Sequence, residues 1–298
     1  VCFPESTWIE EVLTEEYTDA AHIQQGCIAA GLRERGHILT FAAPENLEDT
    51  VWSRNWQRPR RVARTWSASH WFDIISKSVW RLQRPLGIPY LNVFSNWRRF
   101  DACLQCLAGH DLVYERNGLY HAGVAMACRR LKVPYILFFD ADQIAEQDYL
   151  GRPVTGLLRW RATRLLRYNL RAAQTIICVS EAARVRLMTG WNVPSAKILV
   201  FPNGVDVQRF RPDPQARRAV RAALGVADGP LVLFVGSFHH WHDLPTLLAA
   251  FAEVLRANPA ARLALVGDGS QRKPLARRAS EMGIGDAVHF TGRIAHSE

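Results

Sequence analysis

Three glycines in this chain stand where an apolar run gives way to a turn. Leu231-Val232-Leu233-Phe234-Val235 runs into Gly236-Ser237, and Leu263-Ala264-Leu265-Val266 into Gly267-Asp268-Gly269. Val288-His289-Phe290-Thr291 runs into Gly292-Arg293. A buried strand that ends in glycine lets backbone approach a ligand closely, and the N-terminus of a following helix favours phosphate. His239-His240-Trp241-His242-Asp243 leads from the first of these turns toward a helix. His242 can donate a hydrogen bond and carries charge when protonated, whereas Asp243, read as a first-turn acid, is unfavourable beside a diphosphate. Cys103 and Cys106 form a CxxC with His110 nearby, but no second CxxC or HxxxH completes four zinc ligands. Neighbours at i and i+3 on an apolar helix face explain the pair more simply. Trp52, Trp56 and Trp66 interleave with Arg54, Arg58, Arg60, Arg61 and Arg64. That mixture suits an anionic membrane interface, a lipid phosphate or single-stranded nucleic acid, and equally a solvated basic loop with some packed aromatics.

The elements that would carry these residues alternate strand with helix, which predicts parallel sheets covered on both faces. Helix is expected over 20–35 up to Gly36, then strand over 38–43, and a loop without periodicity over 44–68. Helical patterns follow at 69–81 and 100–107, strand at 111–115, helix at 119–131 and strand at 134–139. A basic helix over 155–173, with Trp160, Arg161, Arg164, Arg167 and Arg171, reads as ordinary and amphipathic. It leads to a strand over 175–179, after which Ser180 caps the next helix with Glu181 in its first turn. A second α/β unit begins near Asn203, with strands 231–235, 262–266 and 287–291 and helices 243–257 and 271–282. An open nucleotide-binding sheet has about six strands in two halves, so this one is expected to be half present.

The most informative stretch joins the units. Ser180-Glu181 opens a helix, Lys197-Ile198-Leu199-Val200-Phe201 is a short strand, and Pro202-Asn203-Gly204-Val205-Asp206 follows, with Phe210 and Pro212 behind it. Asn203-Gly204 is expected to supply the positive-φ positions of a tight turn. In this order the chain resembles the family 4 retaining glycosyltransferases (group 1). The three glycine turns continue the resemblance, and so, more loosely, do Ala29 to His37, Asp111 to Arg116 and Leu131 to Pro134. The resemblance implies an α/β fold of the GT-B type, two Rossmann-like domains facing a cleft, the second incomplete. Residues 1–202 would bind the acceptor and 203–298 the nucleotide-sugar donor, through Gly236, Ser237, His242, Gly267, Gly269, Gly292 and Arg293. The family usually has Arg where Ser237 stands, Lys-Gly where His242-Asp243 stands, and a glycine pair near Asp19-Ala20-Ala21. Its E-x7-E would fall beyond Glu298, so this chain is expected to bind donor poorly and to catalyse little.

Asp140 occupies the strand end where many members place a group facing the reaction centre, and a carboxylate there could accept a proton from an acceptor hydroxyl. Asp140-Ala141-Asp142 also matches the DxD of metal-dependent GT-A enzymes, whose paired carboxylates hold a divalent ion on the diphosphate. A non-enzymatic sugar-nucleotide-binding module is the other alternative. A nicotinamide enzyme would need a strand running into GxGxxG, and none is present. The resemblance implies glycosyl transfer with retention from a UDP- or GDP-sugar to a saccharide or lipid-linked acceptor. It implies no obligatory metal or other cofactor.

Composition is compatible with this. At 48% apolar and 22% charged, the 298 residues are those of a globular protein. No apolar run is long enough to span a bilayer. The net charge of +9, from 37 basic and 28 acidic residues, favours anionic partners. The expected setting is cytoplasmic, with reduced thiols and peripheral contact with an anionic inner membrane face, in bacterial polysaccharide or glycolipid synthesis; nucleic acid is not an expected partner.

Overall fold

The computed structural model describes residues 1–17, 20–226 and 229–294. Asp19 and Glu298, singled out above, lie outside them. The chain divides into two compact units, Val1–Gly204 and the remainder from Val205.

In the first unit, α1 (Thr7–Thr14) and α2 (Ala20–Glu34) precede β1 (Thr40–Pro44), β2 (Thr50–Arg54) and the short β3 (Arg60–Arg61). Then come α3 (His70–Gln83), α4 (Val93–Cys106), β4 (Val113–Arg116), α5 (Gly123–Leu131) and β5 (Tyr135–Phe139). The unit closes with α6 (Gln143–Tyr149), α7 (Gly156–Ala172), β6 (Thr175–Cys178), α8 (Glu181–Trp191) and β7 (Ile198–Val200). β1, β2 and β3 pair antiparallel, and β4 to β7 pair parallel in chain order. Val1 to Phe3 joins the two sets. Cys2 N–H donates to Tyr114 O (2.7 Å) on one side, while Phe3 N–H donates to Ala42 O and Ala42 N–H to Val1 O (both 2.9 Å) on the other. Three residues thus form the middle strand of a continuous sheet.

The core beneath this sheet buries Cys2, Cys103, Cys106, Cys128 and Cys178. Cys103 and Cys106 lie on the apolar face of α4, as the spacing predicts, and all six thiols are free. α4 also carries buried polar groups that fix its neighbours. The Asn96 amide oxygen accepts from Ala122 N–H (2.6 Å) and Gly123 N–H (3.1 Å), so it caps α5, whose own Ala122 has no side chain to do so. Gly123 is required there, because a Cβ would lie 2.9 Å from Asn96 O.

The second unit holds α9 (Pro214–Ala223), β8 (Leu231–Val235), α10 (Leu244–Ala257), β9 (Arg262–Val266), α11 (Arg272–Glu281) and β10 (Val288–Gly292). Its three strands are parallel in the order β10-β9-β8. Leu248 and Phe251 of α10 and Leu275 and Ala279 of α11 share one core with Leu263 and Leu265.

Several expectations need correction. Residues 44–68 are not all loop: β2 and β3 form there, and the pattern was hidden because Thr50 and Ser53 are buried polar residues. Both faces of the second sheet were expected to be covered, yet Leu233 and Val235 are exposed on β8. Their side chains face away from the shared core of α10 and α11. Neither Asn203 nor Gly204 has a positive φ, so no tight turn of that kind follows β7. Residues 201–213 instead run exposed outside any helix or strand.

Candidate functional site

In the second unit the three glycine turns meet at the carboxyl ends of β8, β9 and β10. Gly236 N–H donates to Val266 O (3.0 Å), Phe238 N–H to Asp268 O (2.9 Å) and Gly267 N–H to Gly292 O (2.8 Å). Gly267 has φ +134°, and a Cβ on it would overlap the Gly236 carbonyl. A Cβ on Gly269 would lie 2.7 Å from Phe238 O. Only glycine lets these loops pack backbone on backbone, which leaves a surface of main-chain groups at the sheet edge. Ser237 stands in the same turn, partly buried.

His242 closes a short 3-10 turn (His240–His242) and lies edge-on to Phe234 at 5.4 Å. Its Nε2 would be 3.9 Å from a Cβ on Gly236, so it borders the first glycine turn. Asp243 is not a first-turn acid. It is the N-cap of α10, in left-handed backbone at φ +45°, and its side chain makes no capping bond. That conformation explains why a glycine suits this position. Arg293 follows Gly292 and is exposed.

One cation here escaped the sequence reading. Arg272, at the start of α11, lies 3.4 Å from Asp268 and would be 3.8 Å from a Cβ on Gly292. Only the fold brings it beside the third turn, so spacing alone gave no signal.

In the first unit a cavity of about 760 Å³ opens off the carboxyl ends of β1, the Val1–Phe3 strand and β4. Trp8, Glu45, Arg116, His121, Gln143 and Glu146 are among its lining residues. Burial and the nearby Asp140 charge push the Glu146 carboxyl up, and burial with the Arg99 charge lowers His121 to about 4. A carboxyl that holds its proton more tightly than usual and an imidazole that is neutral at pH 7 therefore share this wall.

Asp140 follows β5 and pairs with Arg116, whose guanidinium also lies over Trp8 at 4.5 Å. Its second oxygen is buried without a partner. Asp142 has a different task. It caps α6 by accepting from Ala145 N–H (3.3 Å), and its other oxygen accepts from Trp191 Nε1–H (2.9 Å) and Arg186 Nε–H (3.1 Å). The two carboxylates of the DxD thus have separate partners.

Two of the three tryptophans of the 52–66 stretch are packed, while Trp66 is 40% exposed. Trp52 lies against the main core, and Trp56 meets Phe41 edge-on at 5.1 Å and carries Arg33 at 4.4 Å.

The profile of Glycosyltransferase Family 4 matches residues 27–209, more than half of the chain, and that of Glycosyl transferases group 1 matches residues 217–298. The chain belongs to glycosyltransferase family 4. Over 126 residues it is 35% identical to a GDP-mannose-dependent alpha-(1-6)-phosphatidylinositol monomannoside mannosyltransferase of Mycolicibacterium smegmatis, covering 42% of this chain and 33% of that protein. Over 239 residues it is 31% identical to the alpha-monoglucosyldiacylglycerol synthase of Streptococcus pneumoniae, covering 76% of this chain and 53% of the synthase. The chain therefore spans between a third and about half of these relatives. Among solved structures, Anabaena Alr3699/HepE in complex with UDP matches with a TM-score of 0.54 at 21% identity, covering 65% of this chain and 51% of that one. This glycosyltransferase-family chain thus has the α/β fold of the GT-B class. Among its described residues, no helix is long and apolar enough to cross a membrane.

Proposed function

We propose that this chain carries the donor and acceptor sites of an enzyme that moves a sugar from a nucleotide-sugar to a lipid-linked or saccharide acceptor, with retention. The observation that carries this reading is the meeting of the three glycine turns at one sheet edge. Backbone N–H groups and the N-termini of α10 and α11 there suit a diphosphate, with Gly236, Ser237, His242, Gly267, Gly269, Gly292 and Arg293 around it. Arg272 would supply charge that Ser237 does not.

Residues 203–298 would hold the donor and 1–202 the acceptor. The acceptor would enter the cavity at Trp8, Glu45 and Gln143, with Asp140 or Glu146 taking the hydroxyl proton. A lipid-linked acceptor is favoured by the names of the two relatives, which specify a phosphatidylinositol mannoside and a glucosyldiacylglycerol. Developing positive charge at the anomeric carbon would be stabilised by the donor phosphate itself.

Isothermal titration of the chain with UDP-glucose and GDP-mannose tests the donor site. Ser237→Arg restores the charge that the family usually has at this turn and should tighten binding by roughly 10-fold, the worth of one charged hydrogen bond. If neither chain takes up either nucleotide-sugar, the reading fails. Binding without turnover in the intact protein would favour a sugar-nucleotide-binding module.

A further inference from the structure

Arg99 of α4 carries a charge that the fold leaves unanswered. The residue is 5% exposed. Its Nη2–H donates to Phe3 O (3.2 Å), while Nε and Nη1 are buried without a partner. Among the described residues no carboxylate forms an ion pair with it. Glu115 feels its charge, yet that acid accepts from the Tyr135 hydroxyl and keeps its proton up to about 7. An ionised side chain in the interior without a counter-charge is a costly arrangement. Water can solvate such a group but cannot neutralise it.

The guanidinium is held in place by its surroundings. Its stem packs on the start of α5, where a Cβ on Gly123 would lie 2.8 Å from Arg99 Cβ. Phe3, which takes its one hydrogen bond, ends the middle strand at the edge off which the cavity of Trp8, Glu45 and Gln143 opens. There Arg99, His121, Asn92 and Ser95 help to wall a recess of about 50 Å³. Pro44, Asn46, Leu47 and His121 line both spaces, so the recess is continuous with the larger cavity. Its volume is roughly that of two waters in the liquid, which suits one oxyanion group and excludes a sugar ring.

Charge sets the recess apart from the cavity beside it. Glu5, Glu45 and Glu146 line the larger space, and Arg116 there is paired with Asp140. The two acids at the recess have cations of their own. Asp49 lies 3.7 Å from Arg64, and Glu48 lies 3.7 Å from Arg98. Burial and the Arg99 charge keep His121 neutral at pH 7, so the imidazole does not offset that charge. Asn92 stands at the N-cap of α4 with a side chain that makes no capping bond, which leaves its amide to donate.

We propose that the recess at Arg99 binds the phosphate of a phosphorylated acceptor, whose hydroxyl-bearing ring fills the larger cavity. Arg99 thereby sets a preference for acidic over neutral acceptors. The proposal rests on reading that cavity as the acceptor site. A sugar phosphate and the phosphodiester of a lipid headgroup share the chemistry it requires.

Calorimetric titration of the chain with glucose, glucose 6-phosphate and the methyl diester of glucose 6-phosphate provides the test. Both esters should bind roughly 10-fold tighter than glucose, the worth of one charged hydrogen bond. The tighter of the two tells a monoester from a headgroup-like diester. His121 gives a second readout, by NMR of its ring. An anion in the recess offsets Arg99, so saturation with ester should raise the His121 pKa above about 4, and glucose should not. Arg99→Met should reduce the esters to the affinity of glucose, and Arg99→Lys should keep part of their advantage. Should the methionine variant not fold, the His121 shift in the parent decides. An ester preference that survives Arg99→Met, or an unmoved His121, overturns the proposal. Inorganic phosphate that binds as tightly as the esters marks an adventitious ion only and overturns it as well. Glucose that binds as tightly as the esters overturns it while the acceptor reading stands. Esters that bind with the His121 shift but receive no sugar from the intact protein refute the acceptor reading and leave the anion site.

Discussion

Glu115 and His121 both lie in the first unit, and burial moves their protons in opposite senses. Burial, opposed by Arg99, raises Glu115 from 4.5 to about 7, with Tyr135 donating to its Oε2 at 2.6 Å. His121 falls from 6.5 to about 4. The stability that protonated Glu115 contributes is complete below its unfolded pKa and is lost as pH rises through about 7, a change of about 3 kcal/mol. The stability that neutral His121 contributes is complete above its unfolded pKa and is lost as pH falls through about 4. Between these limits the two slopes oppose each other. In Glu115→Gln only the histidine slope remains, so the melting temperature should climb with pH from about 4 to 6.5, where the parent stays flatter. Calorimetry across this range decides, and parallel profiles would refute the account. Such residues are hard to read in a sequence. Gly236, Gly267 and Gly292 announce themselves because each sits at the end of its own apolar run. Glu115 meets Arg99 and Tyr135, and Arg272 meets Gly292, only through the fold, and local spacing carries no trace of that.

At the scale of elements, α4 holds the first unit's outer helices through polar groups. Asp101 accepts from Thr65 N–H (2.8 Å) and Oγ1–H (2.5 Å), and from Ser67 N–H (2.9 Å) and Oγ–H (2.6 Å). These four bonds pin the segment that leads into α3. Asp101→Ala leaves the buried donors of Ser67 unanswered and should cost about 3 kcal/mol. Urea unfolding would show this as a lower midpoint at an unchanged slope; a midpoint equal to the parent's would show that the segment is held otherwise. The strands β8 and β9 were legible to the residue, because apolar runs bounded by turn residues leave little choice. The hairpin of β2 and β3 was not, since buried Thr50 and Ser53 break the alternation by which strands are recognised. The course of the backbone after β7 was misjudged for a related reason: Asn-Gly permits a tight turn but does not compel one.

At the scale of the molecule, the two units are joined through residues 201–213, all exposed. Backbone of that kind is where proteases cut first. Brief digestion should nick the chain within 201–213 and yield two fragments corresponding to Val1–Gly204 and the remainder. Early cleavage inside either unit would contradict the division. The α/β class could be read from the alternation of elements. The sheet order of the first unit could not, because its centre is made by Val1 to Phe3, whose partners lie at Ala42 on one side and at Tyr114 and Arg116 on the other.

That arrangement constrains the order in which the first unit can assemble. Val1 to Phe3 leave the ribosome long before Tyr114 and Arg116, to which the Cys2 backbone is bonded. Until β4 has been synthesised, one edge of this segment has no neighbour. A nascent chain must therefore keep an apolar, unpaired segment waiting while residues 4–112 are made. Translation pauses before β4 would lengthen that exposure and should raise the demand for chaperones, whereas pauses after it should not.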